Sequence, residues 1–151
     1  MRRAVRAIVV KDDHLLVMHR NKFGQEYYTL IGGGIDPGES HEQALLREVA
    51  EETGVQIAGP QLVVIEEAGQ PFGTQYIFLC QYVSGEPQLH ADSEEAKVHA
   101  LGQNLYTPMW LPLSKLRDAP FRSETLKQEL LKGFTHGFTN PPITIHSSHE
   151  H

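Results

Sequence analysis

Residues 32–55 read GGGIDPGESHEQALLREVAEETGV, and the fold of the chain turns on this stretch. Gly32-Gly33-Gly34 follows a β-prone run, Tyr27 to Ile31, and glycine permits positive φ and close backbone approach. Asp36-Pro37-Gly38 is a loop. Ser40 with Gln43 three residues on forms a capping-box signature, and from there to Thr53 the chain holds neither Gly nor Pro. Gly54 is a natural stop. The stretch therefore predicts a strand, a glycine-rich loop and a helix that ends at Thr53.

Each helical residue turns by about 100°, so Glu48, Glu51 and Glu52 share an arc of about 100° while Leu45, Leu46, Val49 and Ala50 occupy another. Carboxylates at i, i+3 and i+4 repel by roughly a few tenths of a kcal/mol per pair on an exposed helix, and more when partly buried. A cation is expected beside them. Hard divalent ions, Mg²⁺ or Mn²⁺, suit an all-oxygen donor set that lacks a neighbouring His or Cys. Spacing alone leaves an alternative, a solvated acidic face partnered by Arg47. The glycine triplet shifts the balance, because its carbonyls could complete a metal shell and its N–H groups could meet a phosphate.

Gly33, five residues, Glu39, seven residues, Arg47-Glu48-Val49, one residue, Glu51-Glu52, one residue, Gly54-Val55: this pattern resembles the complete signature box of the Nudix hydrolases. The resemblance implies an α/β fold of the α+β type, a mixed β-sheet sandwiched between helices, with the box as a loop–helix–loop. It also implies a reaction in which water displaces a phosphate at a diphosphate linked to a further group. Carried residue by residue, it makes Glu48, Glu51 and Glu52 metal ligands, with the Gly32 carbonyl as an extra one. Arg47 would orient a glutamate, and Glu39 would brace the loop against the helix. One departure stands out. Family members often carry Pro just before the paired glycines, and here that residue is Ile31.

Phosphoanhydride hydrolysis needs clustered cations to spread charge and a carboxylate to take a proton from water. Within the box Glu51 or Glu48 fits the base. In this family the base can also come from a loop outside the box, and Glu94 or Glu95 could supply it or a further metal ligand; an exposed acidic loop is the plain alternative. The other readings of the helix are a non-catalytic nucleotide-binding or regulatory domain and a purely structural ion site.

The 151 residues suit one domain, read as residues 1–134, followed by a polar tail, residues 135–151, that is mobile or loosely docked. A net charge of −6 disfavours a nucleic-acid-binding surface, and the family resemblance implies a small nucleotide-like molecule as partner. No apolar run approaches a membrane span. The one cysteine, Cys80, cannot pair within the chain, which fits a reducing cytoplasm. Monomer and homodimer both remain open.

Around the box, Ala4–Val10 and His14–His19 flank the turn Lys11-Asp12-Asp13 and read as a hairpin. Gln61–Ile65, Gln75–Tyr82 and Met109–Leu113 read as further strands, and Ser123–Leu131 as a closing helix capped by Ser123. Alternation sets Tyr76, Phe78 and Cys80 on one face and Ile77, Leu79 and Gln81 on the other. Tyr27, Tyr28, Phe72, Tyr76, Phe78 and Trp110 are the aromatics that could stack on a base. His19, Arg20 and Lys22 sit near a strand end, where they could contact substrate phosphates or simply water. The group carried by the diphosphate, whether that of a nucleoside triphosphate or of a nucleotide sugar or ADP-ribose-like molecule, is not written in any motif.

Overall fold

β1 (Arg3–Lys11) alternates between two cores: Val5, Ala7 and Val9 enter one, and Ile8 enters the other. A strand buried on both faces needs a layer on each side, and the chain supplies them. α1 (His41–Thr53) presents Ala44, Leu45 and Val49 to the first core, while α2 (Glu124–His136) presents Leu126 and Leu130 to the second. The computed structural model describes residues 2–88, 104–138 and 141–150.

Between the helices lies one mixed sheet. β2 (His14–Lys22), β3 (Gln25–Thr29), β4 (Ile31–Gly34), β5 (Gln56–Glu67), β6 (Thr74–Ser84), β7 (Asn104–Pro112) and β8 (Ile143–His146) join β1 in the order β3-β2-β1-β6-β5-β8, with β4 pairing β1 and β7 pairing β2. β1 runs parallel to β6 and antiparallel to β2 and β4. The mixed sheet between two helices agrees with the α+β expectation. A 3₁₀ turn, Leu113–Lys115, follows β7. The alternation read along β6 holds: Phe78 and Cys80 pack under α1, and Ile77 lies in the opposite core.

Three elements differ from the sequence reading. The glycine triplet is not a loop but the body of β4, with Gly32 opposite Arg6, Gly33 opposite Val5 and Gly34 opposite Ala4. Backbone proximity is the reason: a Cβ on Gly32 would lie 1.9 Å from the Val5 carbonyl oxygen. Gly32→Ala is therefore expected to cost at least about 3 kcal/mol, the upper end of overpacking effects, measured by denaturant unfolding. β5 is longer than expected, because bulges at Gln56/Ile57, Ala58/Gln61 and Leu62/Val64 carry Gly59 and Pro60 along the strand.

The third difference is in the segment from Thr135. α2 continues to His136, and β8 then pairs in parallel with Val64 to Glu67 of β5. Ser147 hydrogen-bonds the buried Glu66, and the Glu150 carboxylate accepts from the Thr125 amide and hydroxyl in the first turn of α2. Polar composition concealed this docking, since its anchors are side chains distant in sequence.

Candidate active site

α1 starts and stops where the sequence places its signals. Ser40 Oγ accepts from the Gln43 amide, the Gln43 side chain accepts from the Ser40 amide, and Gly54 takes the left-handed conformation at φ 81°. This fixes the rotation of the helix, burying Leu45 and Val49 and setting the acids along the edge that faces β4.

Arg47 organises that edge. Its Nε and Nη2 donate to the two oxygens of Glu39 at 2.7 and 2.8 Å, and Nη2 also donates to the Gly34 carbonyl at 3.2 Å. Nη1 donates to Glu48 at 3.0 Å and Glu51 at 3.2 Å. Glu39 additionally accepts from the Asp36 amide at 2.8 Å, so it ties the loop to the helix. The Arg47 guanidinium, with the Asp36 amide, holds the Glu39 carboxyl down at about 2, and Glu39 in turn drives the Arg47 pKa upward.

The three box acids are not equivalent. The Glu48 side chain is 14 % exposed, and burial raises its pKa against the opposing pull of Arg47, whereas Glu51 is 61 % exposed and turned to Arg47. Glu48 also lies against Gly33, where a Cβ would fall 2.6 Å from Oε2. A side chain at position 33 would have to displace that carboxylate. Glu48 and Glu52 line one chamber of about 440 Å³ together with Gly32, Gly33 and Gly34. Among the described residues no three His, Cys, Asp or Glu side chains converge closely enough to enclose a metal by themselves. Glu94 and Glu95 lie outside the described residues.

The chamber also contains cations. Arg2, Arg6 and Arg20 line it, with Phe72 and Tyr106. Arg6 donates to the carbonyls of Leu30 and Gly32 at 3.4 and 3.1 Å and to Gln75 Oε1 at 3.1 Å; burial draws its pKa down while Glu52 pulls it up. Sequence reasoning missed Arg6, although the signal was present: a single arginine inside the apolar run Ala4-Val5-Arg6-Ala7-Ile8. Of the strand-end basic residues, Arg20 lines this chamber, and Arg20 and Lys22 line an adjoining one. His19 does neither, since it pairs with Glu26 at 2.8 Å and stacks on Tyr28. Of the aromatics, Phe72 and Tyr27 reach the cleft, while Tyr76 packs on His41 and Trp110 meets Tyr82 edge to face.

A family model described as the NUDIX domain matches residues 1–131, and the chain belongs to this family, the Nudix hydrolases. The NAD-capped RNA hydrolase NudC of Stutzerimonas stutzeri is 35 % identical over 79 residues, covering 52 % of this chain and 29 % of that protein. The NudC of Photobacterium profundum is 34 % identical over 87 residues, 58 % of this chain and 32 % of that protein. The chain thus spans about a third of the length of these curated relatives. Among solved structures, a NUDIX hydrolase from Nitrosomonas europaea superposes with a TM-score of 0.69 at 24 % identity over 93 % of this chain and 92 % of that one. An ADP-ribose pyrophosphatase from Streptococcus suis does so with a TM-score of 0.64 at 18 % identity, covering 96 % and 98 %. These two likenesses concern the fold. No helix among the described residues is long and apolar enough to cross a membrane.

Proposed function

We propose that the chain is a Mg²⁺-dependent pyrophosphohydrolase, with Mn²⁺ as a substitute, that cuts the phosphoanhydride of a nucleoside diphosphate joined to another group through attack of water at phosphorus. One observation carries this reading: two carboxylates, Glu48 and Glu52, and three guanidinium groups, Arg2, Arg6 and Arg20, share a chamber floored by Gly32 to Gly34. Acids alone would suit an ion, and bases alone an anion. Both together suit an ion and a diphosphate side by side.

The donor set fits a hard cation. Glu48 and Glu52 would hold it from α1, and the Gly32 carbonyl keeps one lone pair beyond its bond to Arg6. Gly33 leaves space for the Glu48 carboxylate, and Arg47 Nη1 holds it there at 3.0 Å. Bound there, Mg²⁺ would neutralise diphosphate charge and lower the pKa of a coordinated water. Arg2, Arg6 and Arg20 would draw in the phosphate oxygens, and guanidinium groups suit them through paired N–H donors. Glu48 is our choice of base within the cluster, because its carboxyl, raised by burial, lines the chamber, whereas the more exposed Glu51 does not line it. Glu51 then serves as a further ligand once released from Arg47.

The names of the relatives, an NAD-capped RNA hydrolase and an ADP-ribose pyrophosphatase, support a nucleotide-linked diphosphate as the substrate class. The acidic balance of the chain disfavours RNA itself. A cytoplasmic setting suits the single cysteine, Cys80, which is buried and whose thiol is pushed up to about 12.

A hydrolysis screen over nucleoside triphosphates, nucleotide sugars, ADP-ribose and dinucleotides tests the proposal. Release of phosphate, pyrophosphate or a nucleoside monophosphate is expected in Mg²⁺ or Mn²⁺ and not in EDTA. Tight nucleotide binding without release from any member would overturn it in favour of a non-catalytic binding domain.

A further inference from the structure

Beside the chamber that holds Glu48 and Glu52 lies a second of about 220 Å³, and the two share Arg6, Arg20, Thr29, Leu30 and Phe72 along their common wall. Lys22 and Arg122 line the inner chamber only. Among the described residues that line it, four cations, Arg6, Arg20, Lys22 and Arg122, thus face one acid, Glu66, whose carboxylate accepts from Ser123 Oγ at 2.5 Å and Ser147 Oγ at 2.7 Å. Among the described residues no carboxylate lies at ion-pair distance from Arg20, Lys22 or Arg122.

The guanidinium groups are held by aromatic rings rather than by acids. Arg122 lies 4.2 Å from the centroid of the Tyr27 ring, and Arg20 lies 4.2 Å from that of Tyr106 and 5.7 Å from that of Tyr27. Stacking fixes the plane of a guanidinium and leaves its N–H edge able to donate. Arg20 Nε is buried and has no hydrogen-bond partner among the described residues, which leave the polar valences of this wall incompletely met.

We propose that the inner chamber is a second phosphate site, so that the preferred substrate carries a phosphate beyond the two at the scissile bond. Arginine and lysine offer donors only, whereas a neutral sugar is best read by groups that also accept. Since Lys22 and Arg122 do not line the outer chamber, their charges are placed for another anion. This inference rests on the reading of the outer chamber as the diphosphate site. The added phosphate has two sources with the same chemistry, a monoester on a nucleotide or the next link of a linear polyphosphate.

Calorimetric Kd values for two pairs of probes separate these sources: NADPH against NADH, and ATP against ADP-ribose, each in EDTA and again in Mg²⁺. In at least one pair the phosphate-rich member is expected to bind about tenfold tighter, the effect of one charge-assisted hydrogen bond. Arg122→Gln should collapse that ratio toward one, Arg122→Lys should retain most of it, and Lys22→Gln, at an exposed position, should reduce it with no change in melting temperature. Equal affinities within both pairs, no binding of any probe in either condition, or an Arg122→Gln variant that weakens both members of a pair alike would overturn the second site. Discrimination in Kd without turnover in Mg²⁺ would sustain the site and remove the hydrolase reading instead.

Discussion

Glu52→Gln and Glu48→Gln are each expected to lower kcat by more than about a hundredfold in saturating Mg²⁺, because even partners one layer out from a metal ligand are worth about 10–100-fold. The protein should stay folded. At Glu48 the substitution removes a carboxylate that burial penalises, while the amide oxygen still accepts from Arg47 Nη1, so melting temperature without metal should hold or rise slightly. Added Mg²⁺ should raise the melting temperature of the wild type and lose that effect in both variants. Wild-type turnover in both would sink the assignment of these acids. A rise in melting temperature with Ca²⁺ and Mg²⁺ that is accompanied by no hydrolysis would mark a structural ion instead.

Arg47→Ala is the second large effect. The side chain is 25 % exposed and joins Glu39, Glu48, Glu51 and the Gly34 carbonyl, so truncation leaves several partly buried acceptors facing one another. A loss of about 2–4 kcal/mol follows from breaking such a cluster, somewhat below the value for a fully buried pair. In a chain of this length that is roughly 5–15 °C of melting temperature. Arg47→Lys keeps the charge but not the fork, and should recover less than half. Acid titration provides an internal check. Glu39 titrates at about 2 instead of 4.5, so its contribution to stability is complete above pH 4.5 and is lost as pH falls toward 2. The Arg47→Ala protein should show a flatter stability profile across that interval.

What the sequence disclosed was local or carried by a dense pattern. Each α1 cap is set by residues next to it in sequence, the β1–β2 hairpin is closed by its own turn, and the resemblance of the Gly33–Val55 pattern to the Nudix box pointed to Arg47, Glu39 and the acids. Long-range pairing was hidden. The β-branched run Ile143-Thr144-Ile145 is strand-prone but does not say that its partner is Val64–Glu67, and the glycine triplet reads as a loop until Val5 and Arg6 are placed beside it. The inequality of Glu48 and Glu51 was equally invisible, since helix spacing gives both the same arc and only packing against Gly33 sets one inward. Arg122 carried no motif because its role depends on Tyr27, nearly a hundred residues earlier.

The chamber of Lys22 and Arg122 draws its walls from segments around residues 20–30, 66–75 and 122–126, whereas the box acids and their braces occupy residues 32–54. On the proposed reading, cutting and choosing are encoded in separate stretches of one chain, joined through Arg6 and Arg20. Such a division lets substitutions redirect the enzyme toward a different leaving group while the reaction itself is inherited intact.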